Sequence, residues 1–238
     1  MDVEKVWQEA EWTSQARGII QAIQKFPETT KIIVLLRHSH RDEPNELEEM
    51  YRLRLTTQGH EIAKKFGSLL PIKRHIHLFH SIVWRCQETA EDIAAGFSEV
   101  GGFPEIKGNL LVLHHAGAAP NFFINIFKKG PPIQFIYRWV VGYYSPELIM
   151  PFQEYCQKAA DHIWNETKLA PEKSLNIYIT HDLFILALRF GWFSLPPPNN
   201  WIPFLGGFAF GLDENKFELY DNNRYYKLDP PYWWKTSI

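Results

Sequence analysis

Two short stretches hold the residue types that covalent chemistry needs. In Ile32-Ile33-Val34-Leu35-Leu36-Arg37-His38-Ser39-His40-Arg41 an apolar run stops in two arginines and two histidines. Far downstream, Ile177-Tyr178-Ile179-Thr180-His181-Asp182 ends in the same way, in a titratable pair. A third strand candidate, His75 to His80, leads into Ser81 and then Arg85. Three guanidiniums around two imidazoles make a pocket for a dianion, because the arginine fork matches phosphate oxygens in pairs. Phosphoryl transfer needs alignment and stabilisation of the equatorial oxygens, and fixed arginines can supply that charge in place of metal ions. A neutral His38 imidazole can attack phosphorus in line and form a covalent intermediate. Asp182 can protonate the leaving alcohol and later deprotonate water, provided its surroundings let it hold a proton first.

The same residues admit plainer roles. Arg37 and Arg41 can pair with Asp42, Glu43 or Glu46 on a solvated loop, and a strand-end histidine can be a hydrogen-bonded structural group. Both motifs together, with Arg85 past a third strand end, favour the functional reading. His38 and His40 lie two apart, as do His75 and His77, but neither a HExxH motif nor an aspartate cluster accompanies them. His75, His77, His80, His114 and His115 therefore read as structural or exposed, and neither metal nor cofactor is expected.

These groups must be delivered by ordinary elements. Val3 to about Phe26 has helical spacing, with Val6, Ala10, Ile19, Ile20 and Ile23 inward. Lys31 to Leu36 reads as a strand covered on both faces. Arg41 to Leu55 reads as a loop with a short helix, and Thr57 to Leu70 as a helix capped by Thr56 or Thr57. After the strand His75–His80 come a helix from about Arg85 to Phe97 and a mixed stretch of glycines, prolines and aromatics, about 101–145. That stretch is taken as an inserted cap segment whose Asn121-to-Tyr144 aromatics form either a ligand-stacking surface or the underside of a covering segment, with the second preferred. Ser145-Pro146 is expected to open a helix reaching Lys168. Leu175 to Thr180 is a buried strand, Asp182 to Trp192 its helix, and Pro196-Pro197-Pro198 a rigid break. Gly207 to Leu212 and Lys216 to Tyr220 read as a hairpin around Asp213-Glu214-Asn215. The expected fold is α/β: a mostly parallel central sheet flanked by helices in a three-layer sandwich, with an antiparallel edge strand and residues 1–238 as one domain. Ligands of such sheets bind beyond the carboxyl ends of the strands, where Arg37, His38, Arg41, Arg85, His181 and Asp182 would gather.

Whole-chain properties narrow the partners. The 238 residues suffice for a buried core, and fractions of 45% hydrophobic and 22% charged suit a globular protein. A net charge of −2 argues against binding nucleic acid through general basicity. No run approaches the ~18 apolar residues of a membrane span. Cys86 and Cys156 are too few for a disulfide framework, and Met1-Asp2-Val3-Glu4-Lys5 is unlike a signal peptide. A cytoplasmic protein with a small phosphorylated substrate is the expectation.

Four ordered motifs carry a resemblance. They are Arg37-His38 with Arg41 three positions on, then Leu55-Thr56-Thr57-Gln58-Gly59, then Ser81, Arg85-Cys86 and Thr89-Ala90, and last His181. In that order they resemble the histidine phosphatase superfamily, which contains phosphoglycerate mutases and histidine acid phosphatases. The resemblance implies that His38 is the phosphorylated nucleophile and that Arg37, Arg41 and Arg85 bind phosphate. It also implies that His181 binds and stabilises the transferring phosphoryl group. Histidine followed by aspartate at 181–182 is similar to the acid phosphatase branch, where the aspartate donates the proton. Mutases commonly have glycine there, and they have glycine and glutamate where this chain has Ser39 and His40. The implied activity is metal-independent phosphomonoester hydrolysis, with a phosphomutase and a non-catalytic phospho-ligand binder as alternatives.

Overall fold

The apolar run that ends at Arg37 forms a strand, β1 (Ile32–Arg37), buried at every position. Burial of all six residues requires cover on both faces, and the side chains alternate between two clusters. Ile33 and Leu35 join one, while Ile32, Val34 and Leu36 join the other. The computed structural model describes residues 2–44, 46–197, 201–213 and 216–234.

Before β1 come α1 (Val3–Glu9) and α2 (Ser14–Ile23), and after it α3 (Thr57–Ser68), β2 (His75–His80), α4 (Trp84–Glu99) and β3 (Pro104–Asn109). Next are α5 (Phe122–Phe127), α6 (Pro132–Val140), α7 (Phe152–Leu169), β4 (Ser174–Thr180) and α8 (Asp182–Phe193). The chain closes with β5 (Gly207–Asp213), β6 (Lys216–Asp221) and β7 (Arg224–Leu228). The seven strands make one sheet in the order β3-β2-β4-β1-β5-β6-β7. β3, β2, β4 and β1 run parallel, while β5, β6 and β7 pair antiparallel. Residues of α2, α3 and α4 fill the core on one face, and residues of α6, α7 and α8 fill it on the other. This is the expected three-layer α/β arrangement.

Several boundaries differ from the sequence expectation, each for a local reason. The first helix is two, because Ala10 is extended and the Thr13 hydroxyl turns back to the carbonyls of Trp7 and Ala10. Trp7 is buried where Val6 and Ala10 are only half-buried. The helix expected from Pro146 begins instead after Pro151. Met150 donates its N–H to Ala116 O, and the residue before a proline is steered away from helical geometry. The 101–145 stretch is not all outside the sheet, since β3 is an edge strand paired with β2. β7 was not anticipated; it returns from β6 through Asn222-Asn223, both with positive φ (46° and 61°), as a two-residue hairpin turn requires. The antiparallel part is thus three strands, one more than the expected hairpin. Pro198 and the turn residues Glu214 and Asn215 lie outside the described residues.

Candidate active site

The parallel register brings the chemistry together. Arg37 on β1 lies opposite Thr180 on β4, and Ile179 lies opposite His80 on β2. Beyond those pairs the His38 amide donates to Thr180 O at 3.0 Å and the Ser81 amide to Ile179 O at 2.9 Å. Three neighbouring parallel strands therefore end level, and Arg37-His38, Ser81 and His181-Asp182 emerge side by side. Arg85, one residue into α4, comes in from the β2 side.

His38 is 2% exposed and held at both ring nitrogens. Its Nδ1 contacts Ser39 O at 2.8 Å, and Arg85 donates its Nε–H to Nε2 at 2.9 Å. An arginine can only donate, so the ring proton sits on Nδ1 and the lone pair on Nε2 faces the guanidinium. Burial, with Arg85 and Arg37 adding repulsion, holds the His38 imidazole well below its ordinary protonation range. The His181 ring lies 5.5 Å away, with Nδ1 3.3 Å from Arg85 Nη2 and Nε2 3.2 Å from Ser81 Oγ. It too is held well below the ordinary range by burial, then by Arg85 and His114. Both imidazoles are neutral at pH 7.

The arginines surround this pair. Arg85 is 3% exposed and also donates to Met50 O at 2.7 Å; burial lowers its pKa to about 10. Arg37 donates to Ile202 O at 2.6 Å, lies 4.3 Å from the centre of the Phe204 ring and meets Asp182 Oδ2 at 2.9 Å. Arg41 pairs with Glu43 at 3.3 Å, the loop contact that the plainer reading envisaged. It lines the cleft all the same, with its Nε buried and unpartnered. Asp182, at the start of α8, accepts from its neighbour's amide (Leu183, 2.8 Å) and from Trp201 Nε1 at 2.8 Å, besides Arg37.

Side chains behind the floor explain the remaining motif positions. Ser39 is fully buried; its hydroxyl donates to Gly59 O at 2.7 Å and its amide to Thr89 Oγ1 at 3.0 Å. Gly59 makes that approach feasible, since a Cβ there would stand 2.1 Å from His40 O. Glu88 accepts from the Leu55 amide at 3.0 Å and pairs with Arg54. Cys86 lies under His181, 3.8 Å from Nε2, and burial pushes its thiol up to about 11.

All six expected site residues line one cleft of about 640 Å3. His40 does not line it. That ring contacts Thr56 Oγ1 at 2.8 Å and sits against Trp12 and Phe204. His77 and His80 are tied to Asn176 and to Ser81 O, whereas His114 and His115 do line the cleft. His114 is half-buried with Nδ1 unpartnered, and burial lowers its pKa to about 4. Sequence reading missed His114, Tyr51, Trp201 and Phe204, all of which come from loops or short turns without a period. A histidine doublet just after β3 was the one available signal. The aromatic segment divides between the two uses weighed for it: Phe122, Phe135 and Trp139 are buried, while half-buried Phe123 and Phe127 face the cleft. Among the described residues, no group of three histidine, cysteine or acidic side chains is placed to hold a metal ion, and no helix is long and apolar enough to cross a membrane.

No protein-family model matches the sequence, and no curated protein matches it by sequence. Solved structures do match. A mycobacterial hydrolase superposes with a TM-score of 0.56 at 14% identity, over 83% of this chain and 100% of the other. The phosphoserine phosphatase of Entamoeba histolytica, a mutant in complex with phosphoserine, gives 0.53 at 14% identity, over 82% and 98%. A mycobacterial glucosyl-3-phosphoglycerate phosphatase in complex with VO3 gives 0.53 at 14%, over 84% and 100%. From the sheet order, the level strand ends and these superpositions, the chain has the fold of the histidine phosphatase superfamily.

Proposed function

We infer that the protein is a phosphomonoester hydrolase that works through a phosphohistidine on His38 and needs no metal. The observation that carries this is the His38 ring: Nδ1 is anchored on Ser39 O, and the Nε2 lone pair is presented to Arg85 inside a cluster of guanidiniums. The named structural neighbours are a hydrolase and phosphatases, which supports the reading at the level of the reaction class.

Arg85 hydrogen-bonds to His38, and Arg37 to Asp182. A phosphate dianion takes their place, with Arg37, Arg41, Arg85 and His181 on its oxygens. Its charge also offsets the repulsion on His181, which can then be protonated and donate to the transferring group. Nε2 attacks phosphorus as the ester P–O bond breaks, and no proton need leave Nε2 because none is there. Asp182, released from part of its bonding to Arg37, takes up a proton from solvent as the dianion binds and gives that proton to the departing alkoxide. The resulting carboxylate takes a proton from water, water oxygen bonds to phosphorus, and the P–N bond breaks to give phosphate and neutral His38. The chain acts as one domain, with the part of segment 101–145 that follows β3 supplying the cap over the alcohol side.

The test is release of phosphate from p-nitrophenyl phosphate with chelator present. Wild type should turn over, and His38→Ala should lose about 10⁴-fold or more in kcat. Quenching with base should trap a phosphoryl-protein bond that acid then cleaves. Chelator-resistant activity that survives His38→Ala would remove the mechanism.

A further inference from the structure

Beyond the arginines the cleft changes character. Its phosphate end is bounded by Arg37, Arg41, Arg85, His38, His181 and Asp182, and the other lining residues of the about 640 Å3 cleft are mostly apolar. There the lining includes Met50, Tyr51, Phe123, Phe127 and Phe184. Phe123 sits edge-on to Phe184 at 5.9 Å and stacks with Phe127 at 6.1 Å, four residues along the same helix. Phe122, one residue away, is buried but also borders the cleft, so three phenylalanines of α5 line it.

Charge is confined to the other end. Among the described residues, the lining beyond the phosphate end contains no lysine, arginine, aspartate or glutamate; its polar side chains are Tyr51, His114, His115, Asn121 and the Trp201 indole. Lys128 follows Phe127 directly but is paired with Glu48 and does not line the cleft. His114 stays neutral down to about pH 4. A second anionic group, or a sugar's hydroxyls, would be stripped of water against phenylalanine with few partners in return. An apolar ring would gain from the same burial.

We propose that the alcohol half of the substrate is an uncharged, apolar, ring-bearing group, so that arylalkyl phosphomonoesters are hydrolysed in preference to phosphorylated sugars, glycerols and amino acids. The proposal rests on the phosphatase reading of His38 and names the substrate class of that site.

The experiment compares kcat/KM for ethyl phosphate, 2-phenylethyl phosphate, phosphoserine, glycerol 3-phosphate and glucose 6-phosphate, all alkyl esters with similar leaving groups. The phenylethyl ester should exceed ethyl phosphate and each polar ester by about 100-fold, as expected for burying one ring. In the double variant Phe123→Ala, Phe127→Ala the phenylethyl-to-ethyl ratio should shrink about tenfold or more. Poor folding alone would lower both rates and leave that ratio in place, so an unmoved ratio overturns the proposal. Equal or faster turnover of any polar ester also overturns it while leaving the phosphatase intact. Failure to hydrolyse these esters and p-nitrophenyl phosphate alike overturns both together.

Discussion

Asp182 faces two demands, since it accepts hydrogen bonds from Arg37 and Trp201 in the free site yet must carry a proton to the leaving group in the proposed reaction. Its contribution should therefore scale with the need of the leaving group for that proton. Asp182→Asn should lower kcat/KM for an alkyl phosphate by about 10²–10⁴-fold, the usual reach of acid–base assistance. For p-nitrophenyl phosphate, whose phenolate departs unprotonated, the loss should stay below about tenfold. Similar losses for both substrates would assign Asp182 to positioning Arg37 instead. The histidines carry a second prediction. His38, His181 and His114 are held neutral in the folded state, whereas each takes a proton near pH 6.5 once unfolded. Between pH 6.5 and about 4 the unfolded chain binds more protons, so stability falls as pH falls. Asp92, which burial pushes up to about 6, opposes this over part of the window. Urea midpoints should drop from pH 7 to pH 5, and less steeply in His114→Gln. At this scale the sequence was informative where chemistry sits on strand ends, as at Arg37-His38 and His181-Asp182. It was silent on Trp201 and Phe204, which reach the site by chain return from a loop. Ser39, which stands where the resembled mutase motif has glycine, is accounted for by its hydroxyl on Gly59 O.

Helix packing turns on three glycines. Gly59 lets the first turn of α3 touch the backbone of His40, and farther along the helices Gly67 meets Ile93 O while Gly96 meets Lys64 O. A Cβ at Gly67 would stand 2.1 Å from Ile93 O, and one at Gly96 1.8 Å from Lys64 O. Gly59→Ala and Gly67→Ala should each cost about 1–3 kcal/mol in denaturation experiments, the range for overpacking. Only Gly59→Ala should also lower kcat/KM, because its strain falls on the loop that follows His38. The elements that were legible, β1, β2, β4, β5, β6, α3, α4 and α8, have continuous apolar runs, periodic patterns or a strong cap such as Thr56, which accepts from the Gly59 amide. β3 and β7 were not, because edge strands are short and half-exposed and so lose the apolar alternation that marks a strand. Two signals were nevertheless present: the Asn222-Asn223 turn before β7, and Pro151, which forbids a helix running through from Pro146.

Across the whole molecule, the helical layer behind the site is locked to the antiparallel half of the sheet by one buried ion pair. Arg189 on α8 meets both oxygens of Asp221 on β6 at 2.7 Å, with side chains 7% and 3% exposed. Removing one partner leaves a buried charge alone. Arg189→Met should therefore cost about 3–5 kcal/mol in a urea titration, and adding Asp221→Leu should recover much of it. If the single variant were as stable as wild type, the pair would have no part in holding α8 against the sheet. The thiols point to a different property. Cys86 touches the site only from below and remains protonated far above neutral pH, and burial raises the Cys156 thiol as well. Thiolate is the form that peroxide and alkylating reagents attack, and here it is neither formed nor reachable. With a nitrogen nucleophile and both thiols buried and protonated, the proposed chemistry is expected to survive thiol-alkylating reagents that silence cysteine-dependent enzymes.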